Sequence, residues 1–326
     1  MTGAHFSAIR ERGAALLTTL VIVAALSAIA VAALTDMRRS QQLTSNQQSL
    51  SQAQWFAIGA DAYIRVIADE LVSGALPATA LAGGARKAVF PLDRGLMQIS
   101  VTDGAACINL NSVVMGAGDV FERDELGAGQ LTALMKLLSI SSGDAAQAVS
   151  ALVRWIDTGG GRVGSDDAAY TRLEPRYITG QEPLSEFSEL RAISGFTADM
   201  VRTIRPFTCV LPQTGPSPVN LNALSIEQAP VLAALSLGRL SLSEARRVLE
   251  RRPAAGWQSL GEAFSDPLMT GLGLDERIRS ALRLSNTYLA VDVLVIHDEA
   301  EVAMSELLAR RGADVVTVAR RWSGDE

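Results

Sequence analysis

Histidine is almost missing from this chain of 326 residues: there are two, His5 and His297. Cysteine is as scarce, with Cys107 and Cys209 alone, and aromatic residues make up 5%. So few imidazoles and thiols leave little for general-base or nucleophilic catalysis. His5 lies near the start and His297 in a predicted β-turn region, and neither has a nucleophile pattern beside it. No P-loop, dinucleotide fingerprint or EF-hand spacing is present. A basic excess is lacking too: the formal net charge is −6, which argues against nucleic acid as the main partner. The expectation is a protein that is not an enzyme and has no small-molecule substrate.

A long apolar run is present. After Arg10, Arg12 and Gly13 comes Ala14–Leu34, interrupted only by Thr18, Thr19 and Ser27. As a helix its roughly 21 residues reach about 32 Å, enough for a hydrocarbon core of about 30 Å. A secretory h-region is shorter, about 7–15 residues. The small residues of "ALSAIAVAAL" keep an ordinary signal peptide as the alternative. Positive charge ahead of the span places the first dozen residues in the cytoplasm and everything after about residue 40 beyond the inner membrane. A short basic leader ending in Gly against a long apolar helix resembles a type IV prepilin leader. The resemblance implies cleavage between Gly13 and Ala14 by a dedicated prepilin peptidase, and a helix that anchors first and later packs in a filament.

Residues 40–71 have no proline and one glycine, and Leu43, Leu50, Trp55, Ile58, Tyr63, Val66, Ile67 and Leu71 recur mostly at helical steps. This predicts an amphipathic continuation of the helix over 35–75. Strand-like alternation follows over 76–109, read as a meander of short strands, and returns over 286–326. Helical periodicity dominates 110–285, with cap signals at Ser142–Gly143–Asp144, at Ser185 with Glu186, and at Ser225 with Gln228. The predicted fold class is α+β: a pilin-like long N-terminal helix packed on an antiparallel sheet, with a large all-helical domain inserted between strands.

That insertion carries an echo. "CINLNSV" begins at Cys107 and "PVNLNAL" at Pro218, and each opens a helical stretch. The second runs on into a segment resembling helix-hairpin-helix units, but without their G-x-G turn. One stretch looks like a ligand site. In "WIDTGGGRVGSDDAAY" a helix ends at Asp157, a glycine-rich loop follows, and Asp166 and Asp167 come next. Hard oxygen donors on a flexible loop suit Ca²⁺. The other reading is a solvated acidic turn that caps a helix. An even cysteine pair in an oxidising compartment can form a disulfide, with two buried thiols as the alternative.

Taken in order, "RERGAALLTTLVIVAALSAIA", "CINLNSV", "ALVRWID", "GSDDAAY", "PLSEFSELRAISGF", "IRPFTCVLP" and "VNLNAL" resemble the K-type minor pseudopilins of type II secretion systems over nearly the whole chain. The resemblance implies a single-pass inner-membrane protein with a periplasmic body and a methylated mature N-terminus. It implies the I-, J- and H-type minor pseudopilins and the major pseudopilin as partners, and the uncharged Thr18 with the bulky insertion points to a place at the pseudopilus tip. Tip proteins of this kind start or cap assembly and limit its length, in support of export of folded proteins. Structural calcium is carried onto Asp157, Asp166 and Asp167. The family usually has a second acid where this chain has Gly159, and often Glu where it has Asp166. Thr18, fifth in the mature chain, stands where most pilins carry a Glu that pairs with a neighbour's N-terminal ammonium. The predicted disulfide is Cys107–Cys209. A type IV pilus minor pilin, or a membrane-anchored periplasmic DNA-uptake receptor using the hairpin-like segment, are the alternatives.

Overall fold

The computed structural model describes residues 4–73, 76–77, 79–82, 84–158, 167–312 and 314–323. Helix α1 runs unbroken over Ala4–Ser73. No proline occurs before Pro77, so nothing removes a donor from its hydrogen-bond ladder. Among the described residues it is the one helix long and apolar enough to cross a membrane, and its apolar window is fully exposed.

The C-terminal half of α1 lies on a five-stranded antiparallel sheet. In chain order the strands are β1 (Arg86–Leu92), β2 (Gly95–Asp103), β7 (Tyr288–His297), β8 (Ala300–Arg311) and β9 (Asp314–Ser323), and they are neighbours in that order. The face α1 buries is mostly alanine: Ala53, Ala57, Ala60, Ile64, Ile67, Ala68 and Leu71, spaced by three and four. Small side chains let the helix axis come close to Ile99, Val101, Val291, Val293, Val295 and Met304 of the sheet. Here the structure corrects the expected stripe. Leu43, Trp55 and Val66 point to solvent, and Trp55 is 71% exposed. The buried side is the row 53–57–60–64–67–71, which takes Ile67 and Leu71 of the pattern as well as the alanines, and Trp55 and Val66 fall outside that row.

Two further differences concern strands. The third strand of the expected meander, β3 (Ile108–Asn109), leaves the sheet and pairs in parallel with β6 (Thr208–Cys209). The inserted unit is also not all helical, since β4 (Val114–Ala117) and β5 (Val120–Arg123) form a hairpin within it. His297 is the last residue of β7, buried under Phe56 of α1, with the turn beginning only at Asp298.

Between β2 and β7 the chain makes the large unit, whose elements fall into two runs. The first holds β3, the hairpin, α2 (Glu125–Leu137), α3 (Ser142–Ile156), α4 (Ala198–Ile204) and β6. The second holds α5 (Ala229–Leu235), α6 (Leu242–Glu250), α7 (Leu260–Phe264), α8 (Pro267–Thr270) and α9 (Glu276–Ala281). One apolar core, from Ala106 to Leu282, runs through both. The expected cap at Ser225 and Gln228 forms a capping box on residues 226–228. Glu186 of the expected Ser185–Glu186 pair caps the 3-10 turn over 187–192, and only the cap of α3 is displaced, from Ser142 to Ser141.

Candidate functional site

Each run is closed by an asparagine amide. Asn111 accepts from the Leu184 amide at 2.8 Å and donates to the carbonyls of Leu184 and Leu211, both at 2.9 Å. Asn222 does the same a second time. It accepts from the Trp257 amide at 2.9 Å and donates to the carbonyls of Trp257 and Leu284, both at 3.0 Å. Only a side chain with both donors and an acceptor can clamp two strands of backbone this way. Five residues after each clamped position a glutamate caps the next turn: Glu189 takes the Ser185 amide and Glu262 the Gln258 amide, each at 2.7 Å. Between the helices of each pair, Ser141 and Ser241 cap α3 and α6 against Asp144 and Glu244. The internal echo in the sequence is thus a repeated structural unit.

The first run alone is covalently closed. Cys107 and Cys209 form a disulfide, with Cα atoms 5.8 Å apart at a sequence separation of 102. A loop of that length loses chain entropy worth up to about 4–5 kcal/mol when bridged.

The acidic loop interrupts the same run. Its start is pinned to the hairpin: the Phe121 amide donates to Thr158 Oγ1 at 3.1 Å, and the Thr158 amide to the Phe121 carbonyl at 3.2 Å. Asp157 ends α3, half-buried. Asp167 Oδ1 accepts from both the amide and the hydroxyl of Thr179 at 2.8 Å. Asp166 lies outside the described residues, and so does Gly159. Trp155, close before the loop, stacks edge-on with Tyr170, and the Gln181 amide donates to its carbonyl. Its indole N–H is buried without a partner among the described residues, where it calls for an acceptor. No cluster of three or more metal-binding side chains occurs among the described residues. Asp157 and Asp167 supply hard carboxylate oxygens on either side of residues 159–166, the donor type an oxygen-ligated cation takes, whereas the indole N–H can bind only an acceptor.

At the other end of the molecule, Thr18 is exposed on α1 and its hydroxyl donates to the Ala15 carbonyl at 2.9 Å. Thr19 bonds Leu16 likewise. Both polar groups are therefore satisfied within the helix, as an apolar medium requires. Gly13 and Ala14 lie in the same unbroken helix.

Comparison with known proteins follows this architecture. Two family models, both described as type II secretion system (T2SS), protein K, match, one over residues 106–213 and the other over 219–285. The division falls between the two asparagine-clamped runs. A type II secretion system protein K of Klebsiella pneumoniae is 30% identical over 337 residues, covering 97% of this chain and 99% of that protein. The chain belongs to the type II secretion system protein K family. The protein K of Aeromonas hydrophila is 29% identical, with 97% of this chain and 98% of that one covered. Among solved structures, the GspK-GspI-GspJ complex of the enterotoxigenic Escherichia coli type 2 secretion system contains a chain with the same fold. Its TM-score is 0.72 at 24% identity, covering 86% of this chain and 99% of that one.

Among the site residues read from sequence, the fold joins Cys107 to Cys209, puts Asp157 at the end of α3 and puts Asp167 at the start of the 3-10 turn over Asp167–Ala169. Sequence reasoning missed the clamping role of Asn111 and Asn222. The signal was present, since the two residues occupy the same place in the repeated Asn-Leu-Asn.

Proposed function

We propose that this chain is a non-enzymatic minor pseudopilin that sits at the tip of the pseudopilus. There it starts or caps assembly with the I-, J- and H-type minor pseudopilins, limits the growth of the major pseudopilin, and so supports export of folded proteins across the outer membrane. It is anchored in the inner membrane by α1, with its body in the periplasm, after prepilin peptidase cuts between Gly13 and Ala14. Calcium held by Asp157, Asp166 and Asp167 would supply positive charge that stiffens the acidic loop.

The observation that carries the reading is α1 itself. Its apolar side chains are exposed from Leu16 to Leu34, and Leu43, Leu50, Trp55 and Ile58 continue that exposure along the body. Such a surface is stable only in lipid or against other helices. Thr18 adds the position. It has no charge with which to accept an ammonium from a subunit above, and the bulky inserted unit leaves little room for one. A subunit with those properties can end a filament, and it can still offer its own N-terminus to a neighbour below.

The test is the distribution of the tagged protein on pili grown by overproducing the major pseudopilin. Label confined to one end, with longer pili in the deletion strain, is the expected result. Even labelling along the shaft would sink the tip assignment.

A further inference from the structure

The inserted unit joins the sheet through two chain crossings, 103–107 on entry and 284–288 on exit, and they meet at a buried polar cluster. Asp103 ends β2, and Asn220 and Asn286 face it, all three buried. Asp103 Oδ1 accepts from the Ala105 amide and Oδ2 from Asn220 Nδ2, each at 2.7 Å. Asn220 Nδ2 also donates to Asn286 Oδ1 at 3.0 Å, and the Asn220 amide donates to the Ala105 carbonyl at 3.3 Å. One side chain thus ties the entering segment to the leaving one. Among the described residues the corresponding Asn109 of the first run meets no carboxylate: it binds the amides of Asn111 and Leu211 and the Gln213 carbonyl.

No cation is hydrogen-bonded to Asp103 among the described residues. The charged and titratable groups on the elements packed there are otherwise engaged. Arg283, bridged to Asn220 through the backbone, turns its guanidinium to the carbonyls of Ser280 and Leu282. Arg252 serves the carbonyls of Leu221 and Leu224. The Tyr288 hydroxyl donates to Gln213, Arg310 reaches the Gly312 carbonyl, and the charge of Arg311 acts on Tyr288. Burial pushes the Asp103 carboxyl from 3.8 up to about 6, against the lowering by Asn220 and by the Ala105 and Ala106 amides.

We propose that Asp103, Asn220 and Asn286 form a proton-sensitive joint, which seats the inserted unit on the sheet more firmly in mildly acid medium than at neutral pH. A neutral carboxyl still accepts both hydrogen bonds but no longer strands a charge away from water. Because the folded value lies above the unfolded one, the stabilisation is complete below about 3.8 and is lost as pH rises through about 6. The opening constant of the joint then rises roughly tenfold between pH 5 and pH 7.

Hydrogen exchange on the full chain in detergent reads this directly, in peptides covering 101–108 and 284–290, after correction for intrinsic exchange rates. Roughly tenfold stronger protection at pH 5 than at pH 7 is expected, and Asp103→Asn should flatten the difference. Equal protection at both pH values, or a pH dependence that survives in D103N, overturns the joint. Should that variant fail to fold, the carboxyl carbon of Asp103 in the unaltered protein is titrated by NMR. A midpoint near 6 supports the proposal, and one at or below about 4 ends it.

Discussion

The two asparagine-clamped runs share a frame and differ in what hangs on it. Both place an Asn-Leu-Asn turn before a helical pair, cap the second helix with serine, and close the run with an asparagine that binds one amide and two carbonyls. In the second run the chain passes from the end of α6 to the clamped Trp257 through only six residues, 251–256. In the first run the passage from α3 to the clamped Leu184 spans 157–183, and its described part holds a single 3-10 turn over Asp167–Ala169. The disulfide falls on the same run, and acidic residues outnumber basic ones there, whereas arginine tips the balance in 219–285. The lesson is that the frame needs neither staple nor loop. Those additions serve something the second run does not do.

The largest expected effect tests whether the frame is truly common. Asn111→Ala and Asn222→Ala should each cost about 3–5 kcal/mol, because each strands three buried backbone groups. Chemical unfolding of the full chain in detergent should show near-equal losses. A loss at one site only, with the other tolerated, breaks the equivalence of the two runs.

Calcium sharpens the difference instead. If the loop binds the ion in the folded state only, a hundredfold excess over the dissociation constant adds about 2.7 kcal/mol. EDTA should then lower the melting temperature, and Ca²⁺ should restore it better than Mg²⁺. The lost hydrogen-exchange protection should map to 106–213 and spare 219–285. Asp157→Ala with Asp167→Ala should abolish the response. A melt unchanged by EDTA leaves the loop as an acidic turn.

Much of this was readable beforehand, and the failures have physical causes. The insertion between strands was legible because periodicity changes from two to about 3.6 near residue 110 and back near 286. The K-family pattern was legible because its pieces keep their order. The buried face of α1 was not, since hydrophobicity ranks Trp55 and Leu43 above Ala53 and Ala57, while the side that meets the sheet is set by helical phase. The parallel pairing of β3 with β6 was hidden as well. Two residues make no pattern, and their partner lies about a hundred positions away. In the acidic loop the residue types were plain, but the hold of Thr179 on Asp167 depends on a chain reversal that no local signal marks.

The smallest effect concerns the caps that the two runs share. Ser141 Oγ accepts from the Asp144 amide at 3.2 Å, and Ser241 Oγ from the Glu244 amide at 3.3 Å. Replacing either serine by alanine should cost about 1 kcal/mol. Of these two serine caps, that of α6 forms the full reciprocal box, in which the Ser241 amide also donates to Glu244 at 2.9 Å. The Ser241 hydroxyl and amide together hold the Glu244 carboxyl below its ordinary 4.5. A depressed carboxylate stabilises above its unfolded value and loses that contribution as pH falls through the folded one. So the cost of Ser241→Ala should be steady from neutral pH down to about 4.5 and shrink below it, as the unaltered protein loses the same interaction. Unfolding curves of Ser241→Ala and the parent protein at a series of pH values from about 3 to about 7 measure this. A cost that stays constant through acid would show that the glutamate adds nothing to the serine cap, and the two caps would then be equivalent in energy despite their different geometry.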